Sequence, residues 1–242
     1  MGRIDLHNHL LPALDDGATD VAEALAIARA LVAAGYTDVA TTPHAKPDLS
    51  PSPELAASRR AELQQLLDDE QLALRLHPGC ENHVTPEFVA RVEAGEPRPL
   101  GSGPYVLVEL PFASPVPGFR ELVFRLLLLG IRPLVAHPER CAQFTLRLEA
   151  AREVVDAGAF LQIEIGSLAG MYGGPAKKCV QALLAEDLVA VAATDVHHLK
   201  SGREILGPGL KVLEKALGPT RLQLLTEENP ARVLTGAPLA GT

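Results

Sequence analysis

The chain opens on Ile4-Asp5-Leu6-His7-Asn8-His9, followed closely by Asp15-Asp16-Gly17. Imidazole and carboxylate groups offer nitrogen and oxygen lone pairs to divalent cations. Alternation along an extended segment turns His7 and His9 to the same side. Two imidazoles then converge at a strand end, with carboxylates a few residues beyond. Taken alone, a His-x-His is short and describes a pair of polar loop histidines equally well. The choice rests on whether more ligand-type residues fall at equivalent positions downstream.

They do. Strands are predicted over residues 37–42, 72–76, 105–109, 132–136, 160–165 and 189–194, after the opening strand. Helices are predicted over 20–34, 54–69, from Pro86 to Gly95, and over 119–129, 146–157 and 175–186, with further helices near 208–217 and 220–226. Apolar residues at Val21, Leu25, Ala28, Leu31 and Val32 keep a helical period, and Gly35 stops that helix. Seven β–α units without a composition break predict an α/β fold, a single-domain distorted (β/α)7 barrel of the TIM type over residues 1–242. His44 follows the second strand, Glu81 the third and His137 the fifth. Glu109 ends the fourth, and Asp195 and His197 follow the seventh. In such a barrel these positions share the carboxyl face, where barrels of this kind do their chemistry.

The other properties of the chain narrow its class. With 30 acidic against 22 basic residues and a net charge of −8, it lacks the basic surface of a nucleic-acid binder. Hydrophobic content of 47% with no Trp leaves Leu, Val, Ala and Ile to fill the core. Three cysteines without paired spacing point to a reducing compartment. The apolar run near Leu126–Leu129 is too short to span a bilayer, and the opening strand leaves no room for a signal peptide. The expectation is a cytoplasmic protein with no membrane insertion; an oligomer is compatible with the sequence.

The candidate ligands are His7, His9, Asp16, His44, Glu81, Glu109, His137, Asp195 and His197. All are nitrogen or oxygen donors, which suits Mn²⁺, Fe²⁺ or Zn²⁺. Nine are too many for one ion and fit up to three. Their four carboxylates against three divalent ions leave about two positive charges, which would attract a phosphate dianion. Without metal, the clustered carboxylates are expected to repel one another and raise some of their pKa values.

Several motifs carry a resemblance that covers nearly the whole chain. They are His7-x-His9, Leu11-Pro12-x-Leu14-Asp15-Asp16-Gly17, Thr42-Pro43-His44, Glu109-Leu110-Pro111-Phe112, His137-Pro138-Glu139-Arg140 and Thr194-Asp195-x-His197. This set resembles the PHP (polymerase and histidinol phosphatase) superfamily. More narrowly it is similar to the bacterial manganese-dependent protein-tyrosine phosphatases of capsule and exopolysaccharide operons. Gly166-Ser167-Leu168 with Lys177-Lys178, and Glu228-Asn229-Pro230, also match that subgroup. Cys141 and His198 depart from it, standing where an aromatic residue and Asn are common.

The resemblance implies a first metal held by His7, His9, Glu81 and Asp195. Glu81 would bridge to a second, completed by Glu109 and His137, and Asp16, His44 and His197 would hold a third. Arg140 and Arg203 would bind the phosphoryl oxygens, and Asp195 or His197 could pass a proton to the leaving group. The implied reaction is hydrolysis of phosphotyrosine by a metal-activated hydroxide with no covalent enzyme intermediate. The implied partner is a phosphotyrosine protein, a bacterial tyrosine autokinase of capsule or exopolysaccharide synthesis. Two rivals share the ligand set: a histidinol-phosphate or other small-molecule phosphomonoesterase, and a noncatalytic metal-binding PHP module.

Cys141 to Arg147 also matches Cys-x5-Arg, the signature of cysteine-dependent phosphatases. Its interior contains Phe144 and Leu146, which do not suit a loop that rings a phosphate with backbone N–H groups. Cys141 is therefore expected to be incidental. His77 and His83 are expected to support the site or the structure rather than to ligate.

Overall fold

The computed structural model describes residues 2–241. Nine strands, β1 (Arg3–Asp5), β2 (Tyr36–Thr41), β3 (His44–Ala45), β4 (Arg75–Pro78), β5 (Glu81–His83), β6 (Tyr105–Glu109), β7 (Arg132–Ala136), β8 (Phe160–Glu164) and β9 (Val189–Ala193), form two parallel sheets. Their orders are β1-β2-β4 and β3-β5-β6-β7-β8-β9. The helices are α1 (Val21–Ala33), α2 (Pro53–Asp69), α3 (Pro86–Glu93), α4 (Phe119–Leu128), α5 (Ala142–Thr145), α6 (Glu149–Asp156), α7 (Ile165–Ala169), α8 (Gly173–Ala185), α9 (Leu199–Glu204), α10 (Leu210–Gln223) and α11 (Asn229–Thr235).

Seven predicted strands become nine because two are interrupted. Thr42-Pro43 separates β2 from β3, and Gly79-Cys80 separates β4 from β5. Proline has no N–H to give to a ladder, so pairing stops at Pro43 and resumes one sheet over. Rejoined across those breaks, the strands follow chain order around the molecule. The first and last approach through backbone rather than a full ladder. Asp195 N–H donates to the His7 carbonyl (2.9 Å) and His9 N–H to the Val196 carbonyl (3.0 Å). The buried Asp5 carboxylate pins this seam, accepting from Thr194 N–H at 2.9 Å, from the Thr194 hydroxyl, and from Asn8 Nδ2.

Alternation sorts the core into two regions. Tyr105 and Leu107 of β6 join Leu134 and Ala136 of β7 and Val191 of β9 in an inner cluster. Val106, Val108, Val135 and Ala192, at the intervening positions, pack under the helices. Burial on both faces is what a parallel sheet covered by helices requires.

The predicted helix boundaries are met within a few residues for most elements. Asp20 caps α1 by accepting from Glu23 N–H at 2.8 Å. The third strand begins later than residue 72 because the chain first turns through Gln71 (φ 54°). The helix expected over 146–157 is α6 (Glu149–Asp156), while the short α5 just before it and α9 lie outside the expected helices. The predicted break after residue 217 falls at Gly218 (φ 68°, ψ 172°), ahead of Pro219. No helix among the described residues is long and apolar enough to cross a membrane.

Candidate metal centre

All nine expected ligands come together. Their donor atoms fall into four overlapping groups, each with every atom within 4.8 Å of the others: His9, Asp16, His44 and His197; His7, His9 and Asp195; His7, Glu81 and His137; and His44, Glu81 and Glu109. The grouping differs in detail from the implied one. His9 also stands with Asp16, His44 and His197, its ring stacked 3.9 Å from that of His197. His44 reaches both ways, with Nε2 3.1 Å from Asp16 and Nδ1 2.9 Å from Glu81.

Two of these residues bend the backbone. His137 (φ 31°) and Asp195 (φ 51°) lie in the left-handed region that non-glycine residues rarely adopt. His137 directly follows β7 and Asp195 lies two residues past β9, so each turn takes the side chain out of the strand's alternation and toward the cluster. Strain of this kind collects at functional sites. Gly17 is also obligatory, because a Cβ there would meet the His9 carbonyl at 2.2 Å.

The hydrogen bonds orient the imidazoles. His7 Nδ1 faces Gln162 Oε1 at 3.0 Å, His9 Nδ1 faces Asp15 Oδ2 at 2.7 Å, and His197 Nδ1 faces the Asp195 carbonyl at 3.0 Å. Each contact calls for a proton on Nδ1 and leaves a lone pair on Nε2, as metal-binding histidines require. His7 Nε2, His9 Nε2, Glu81 Oε2 and Asp195 Oδ1 are buried without any well-directed hydrogen bond. Yet Nε2 of His7 lies 3.2 Å from Glu81 and 3.1 Å from Asp195, and Nε2 of His9 lies 3.4 and 3.2 Å from the same carboxylates. Buried polar atoms normally find partners. Donors that converge on common points without bonding one another fit cations between them.

The electrostatics correct one expectation. Asp16, Glu81 and Asp195 are lowered rather than raised, because imidazoles are interleaved with them. Burial pushes Glu81 up, but His7, His137 and His44 outweigh it and hold the carboxyl well below its usual range. Asp195 is likewise held down by His7 and His9 against its burial. The reciprocal effect raises His7 to about 9, since Asp195 and Glu81 overcome its desolvation. His197 goes the other way, to about 4, through burial and the charge on His9.

Arg140 stands at the edge of this cluster. Its Nη1 donates to Glu164 Oε2 at 3.1 Å and Asp195 Oδ2 at 3.2 Å. Its guanidinium lies over the rings of both Phe112 (4.5 Å) and Tyr172 (4.2 Å). Arg203 is different: it is exposed on α9 and forms no hydrogen bond or ion pair with the cluster among the described residues. His198 turns outward to Glu23. Cys141 is buried beside the Leu110 and His137 carbonyls, and burial pushes its thiol far up. The residues after it form α5, and Arg147 pairs with Glu153 at the surface. No phosphate loop exists there. His83 supports the centre through Glu109 (3.0 Å), whereas His77 pairs with Asp38.

Sequence reasoning passed over Asp15, Gln162 and Glu164. Gln162 and Glu164 were discernible as polar residues in the otherwise apolar β8, at alternating positions. Asp15 was masked by its neighbour Asp16, which had the simpler claim as a ligand.

Comparison with known proteins agrees with this geometry. The chain is 35% identical over 227 residues to the tyrosine-protein phosphatase YwqE of Bacillus subtilis, covering 93% of this chain and 89% of that protein. It is 24% identical to the tyrosine-protein phosphatase CpsB of Streptococcus pneumoniae over 96% of this chain and 98% of that one. A solved structure from a study of YwqE and CpsB, described as metal-dependent tyrosine phosphatases, superposes with a TM-score of 0.90 at 31% identity, covering 98% of this chain and 96% of its own. Residues 3–235 match the family described as capsular polysaccharide synthesis, CpsB/CapC, and the chain belongs to that family.

Proposed function

We propose that this protein is a metal-dependent protein-tyrosine phosphatase acting on a phosphotyrosine protein of capsule or exopolysaccharide synthesis, with a bacterial tyrosine autokinase as substrate. The observation that carries the reading is the convergence of nine nitrogen and oxygen donors beside an arginine in contact with two aromatic rings. The similarity to tyrosine phosphatases over nearly the full length supports it, and the reading includes a cytoplasmic location and Mn²⁺ as the native metal, in up to three ions, with Fe²⁺ or Zn²⁺ as substitutes.

His7, His9, Glu81 and Asp195 would hold one ion, Glu81, Glu109 and His137 a second, and Asp16, His44 and His197 a third. When bound, such ions supply positive charge to a phosphoryl group and acidify coordinated water to a pKa of about 7 in favourable sites. Arg140 binds the phosphoryl oxygens. Its Nη1 is engaged by Glu164 and Asp195, which leaves its other N–H groups for the substrate. Contact with the Phe112 and Tyr172 rings holds this planar, delocalised fork in position. Asp195 splits its duties, with Oδ1 toward His7 and His9 and Oδ2 toward Arg140. It thereby sets the clamp at a fixed offset from the ligands, and Asp195 or His197 is the candidate to pass a proton to the departing phenolate. Arg203, on α9 after β9, contributes a second cation at the rim.

The test compares turnover of a phosphotyrosine peptide, a phosphoserine peptide and histidinol phosphate by Mn²⁺-loaded protein. The reading expects strong preference for phosphotyrosine. Preference for histidinol phosphate would replace it with the small-molecule phosphatase, and absence of turnover on all three would leave a noncatalytic metal-binding module.

A further inference from the structure

His44 belongs to the ligand cluster and also lines a cleft of about 210 Å³ on the outer side of Pro43. The lining is largely apolar, with Pro43, Pro51 and Cys80 among it, and Arg60 of α2 and Arg98 also line it. A dry apolar cavity of about 150 Å³ accepts a benzene ring, so this cleft takes one amino-acid side chain. It is too small for a whole cofactor.

The two arginines give the cleft its chemistry. Elsewhere on this acidic chain, Arg29, Arg59 and Arg147 are paired with Glu70, Glu62 and Glu153. Arg60 is half-buried and forms no ion pair among the described residues; burial alone perturbs it. Arg98 (φ 51°) donates from Nη1 to Ser50 Oγ and the Pro51 carbonyl, both at 3.3 Å, and both partners are neutral. Two guanidiniums partly removed from water, neither in an ion pair among the described residues and Arg98 feeling Glu54 only from beyond pairing distance, gain from an incoming anion.

From this we infer that the cleft seats an acidic side chain flanking the phosphotyrosine, its aliphatic stem on the prolines and its carboxylate on Arg60 and Arg98. The inference rests on the phosphotyrosine reading above and specifies the substrate. A chain whose phosphotyrosine reaches the ligands around His44 carries its neighbouring residues over Pro43 and into the cleft. With a net charge of −8 on the protein, an acidic peptide is repelled at long range, and a local cationic cleft offsets this where contact is made.

The experiment measures KM and kcat for two phosphotyrosine peptides that differ only in Glu or Gln at the flanking positions. p-Nitrophenyl phosphate, which has no flanking residues, is the third substrate. Wild type should show a KM about five- to tenfold lower for the Glu peptide, with similar kcat, as expected for a partly desolvated charge-assisted contact. Arg60→Gln should raise that KM toward the Gln-peptide value while leaving the Gln peptide and p-nitrophenyl phosphate unchanged. Arg98→Gln should do the same, and Arg60→Lys should recover part of the preference. Equal KM for the two peptides in wild type, or equal losses on both in the variants, would overturn the subsite alone. No turnover of p-nitrophenyl phosphate by metal-loaded wild type would overturn the phosphatase reading and the subsite with it.

Discussion

Arg140 Nη1 lies 3.2 Å from Asp195 Oδ2, while the other oxygen of the same carboxylate lies 3.1 Å from His7 Nε2. One aspartate thus joins the arginine that would hold a phosphoryl group to the histidines that would hold metal. Arg140→Ala should lower kcat/KM by about 2–4 kcal/mol, or roughly 30- to 1,000-fold, because it removes a clamp that tightens as charge develops. Arg140→Lys should recover only part, since it keeps the charge and loses the fork and the stack. Metal stoichiometry should not fall in either variant, because a cation beside Asp195 opposes metal binding. Kinetics alongside metal analysis checks this, and loss of metal from Arg140→Ala would assign Arg140 a structural role.

Asp15 is saturated by the site's own frame. Oδ2 meets His9 Nδ1 at 2.7 Å and His44 N–H at 3.2 Å, and Oδ1 takes Gly17 N–H at 2.9 Å. Asp15→Asn would present an NH₂ to His9 or to the backbone donors and disturb the tautomer that leaves Nε2 unprotonated. Metal affinity should drop about 10- to 100-fold, the usual cost of losing a carboxylate behind a ligating histidine. Titration of metal-free variant and wild type by calorimetry measures it. Equal affinities would show that Asp15 only shapes the turn.

The charge state of His7 makes metal uptake and stability respond to pH in opposite directions. Its pKa rises from 6.5 to about 9 in the fold, where Asp195 and Glu81 outweigh desolvation. A raised folded value stabilises the metal-free protein fully below about pH 6.5, and that contribution is lost as pH rises toward about 9. A ligating imidazole must be neutral, so apparent metal affinity should increase across the same window with release of protons. Thermal unfolding of metal-free protein should therefore shift downward between about pH 6 and 9 while Mn²⁺ binding tightens. Metal affinity independent of pH would contradict the pairing of His7 with these carboxylates.

Cys141 offers a control for chemistry. Its thiol is buried and held far above neutral pH, and its carbonyl contacts are ones a serine hydroxyl can also make. Cys141→Ser should keep kcat/KM within about twofold, since a reactive cysteine needs an exposed, electropositive setting. Thiol alkylation should leave turnover intact. A large loss in Cys141→Ser with metal retained would overturn the metal-only mechanism.

The clustering of the candidate ligands was legible in the sequence because one rule generated it: a donor residue at a strand's carboxyl end, or within three residues past it, faces the same end of the molecule in a β–α series. His7, His44, Glu81, Glu109, His137 and Asp195 all obey it. The fold class followed from the same alternation, and β6 and β7 matched residue for residue. What escaped depended on contacts between segments far apart in the chain. The splitting of two strands at Pro43 and Gly79 needed the neighbouring ladder to be visible. The stack of Phe112 and Tyr172 on Arg140 joins residues about thirty positions away on either side, and no local pattern announces it. Glu164 obeyed the strand-end rule and was passed over, and it proved to hold Arg140 rather than to complete the ligand set. Arg203 carried a role by resemblance alone, and its exposed position on α9 gives it no contact with the cluster.

The central claim is that hydrolysis of phosphotyrosine depends on metal held by these nine residues. The most direct measurement titrates chelator-stripped protein with Mn²⁺ while following both bound metal and turnover of a phosphotyrosine peptide. The account predicts negligible turnover in the stripped protein, recovery that tracks metal bound per chain, and an upward shift in thermal unfolding as the sites fill. Undiminished turnover after complete metal removal, or full metal loading with no turnover of the peptide, would contradict it.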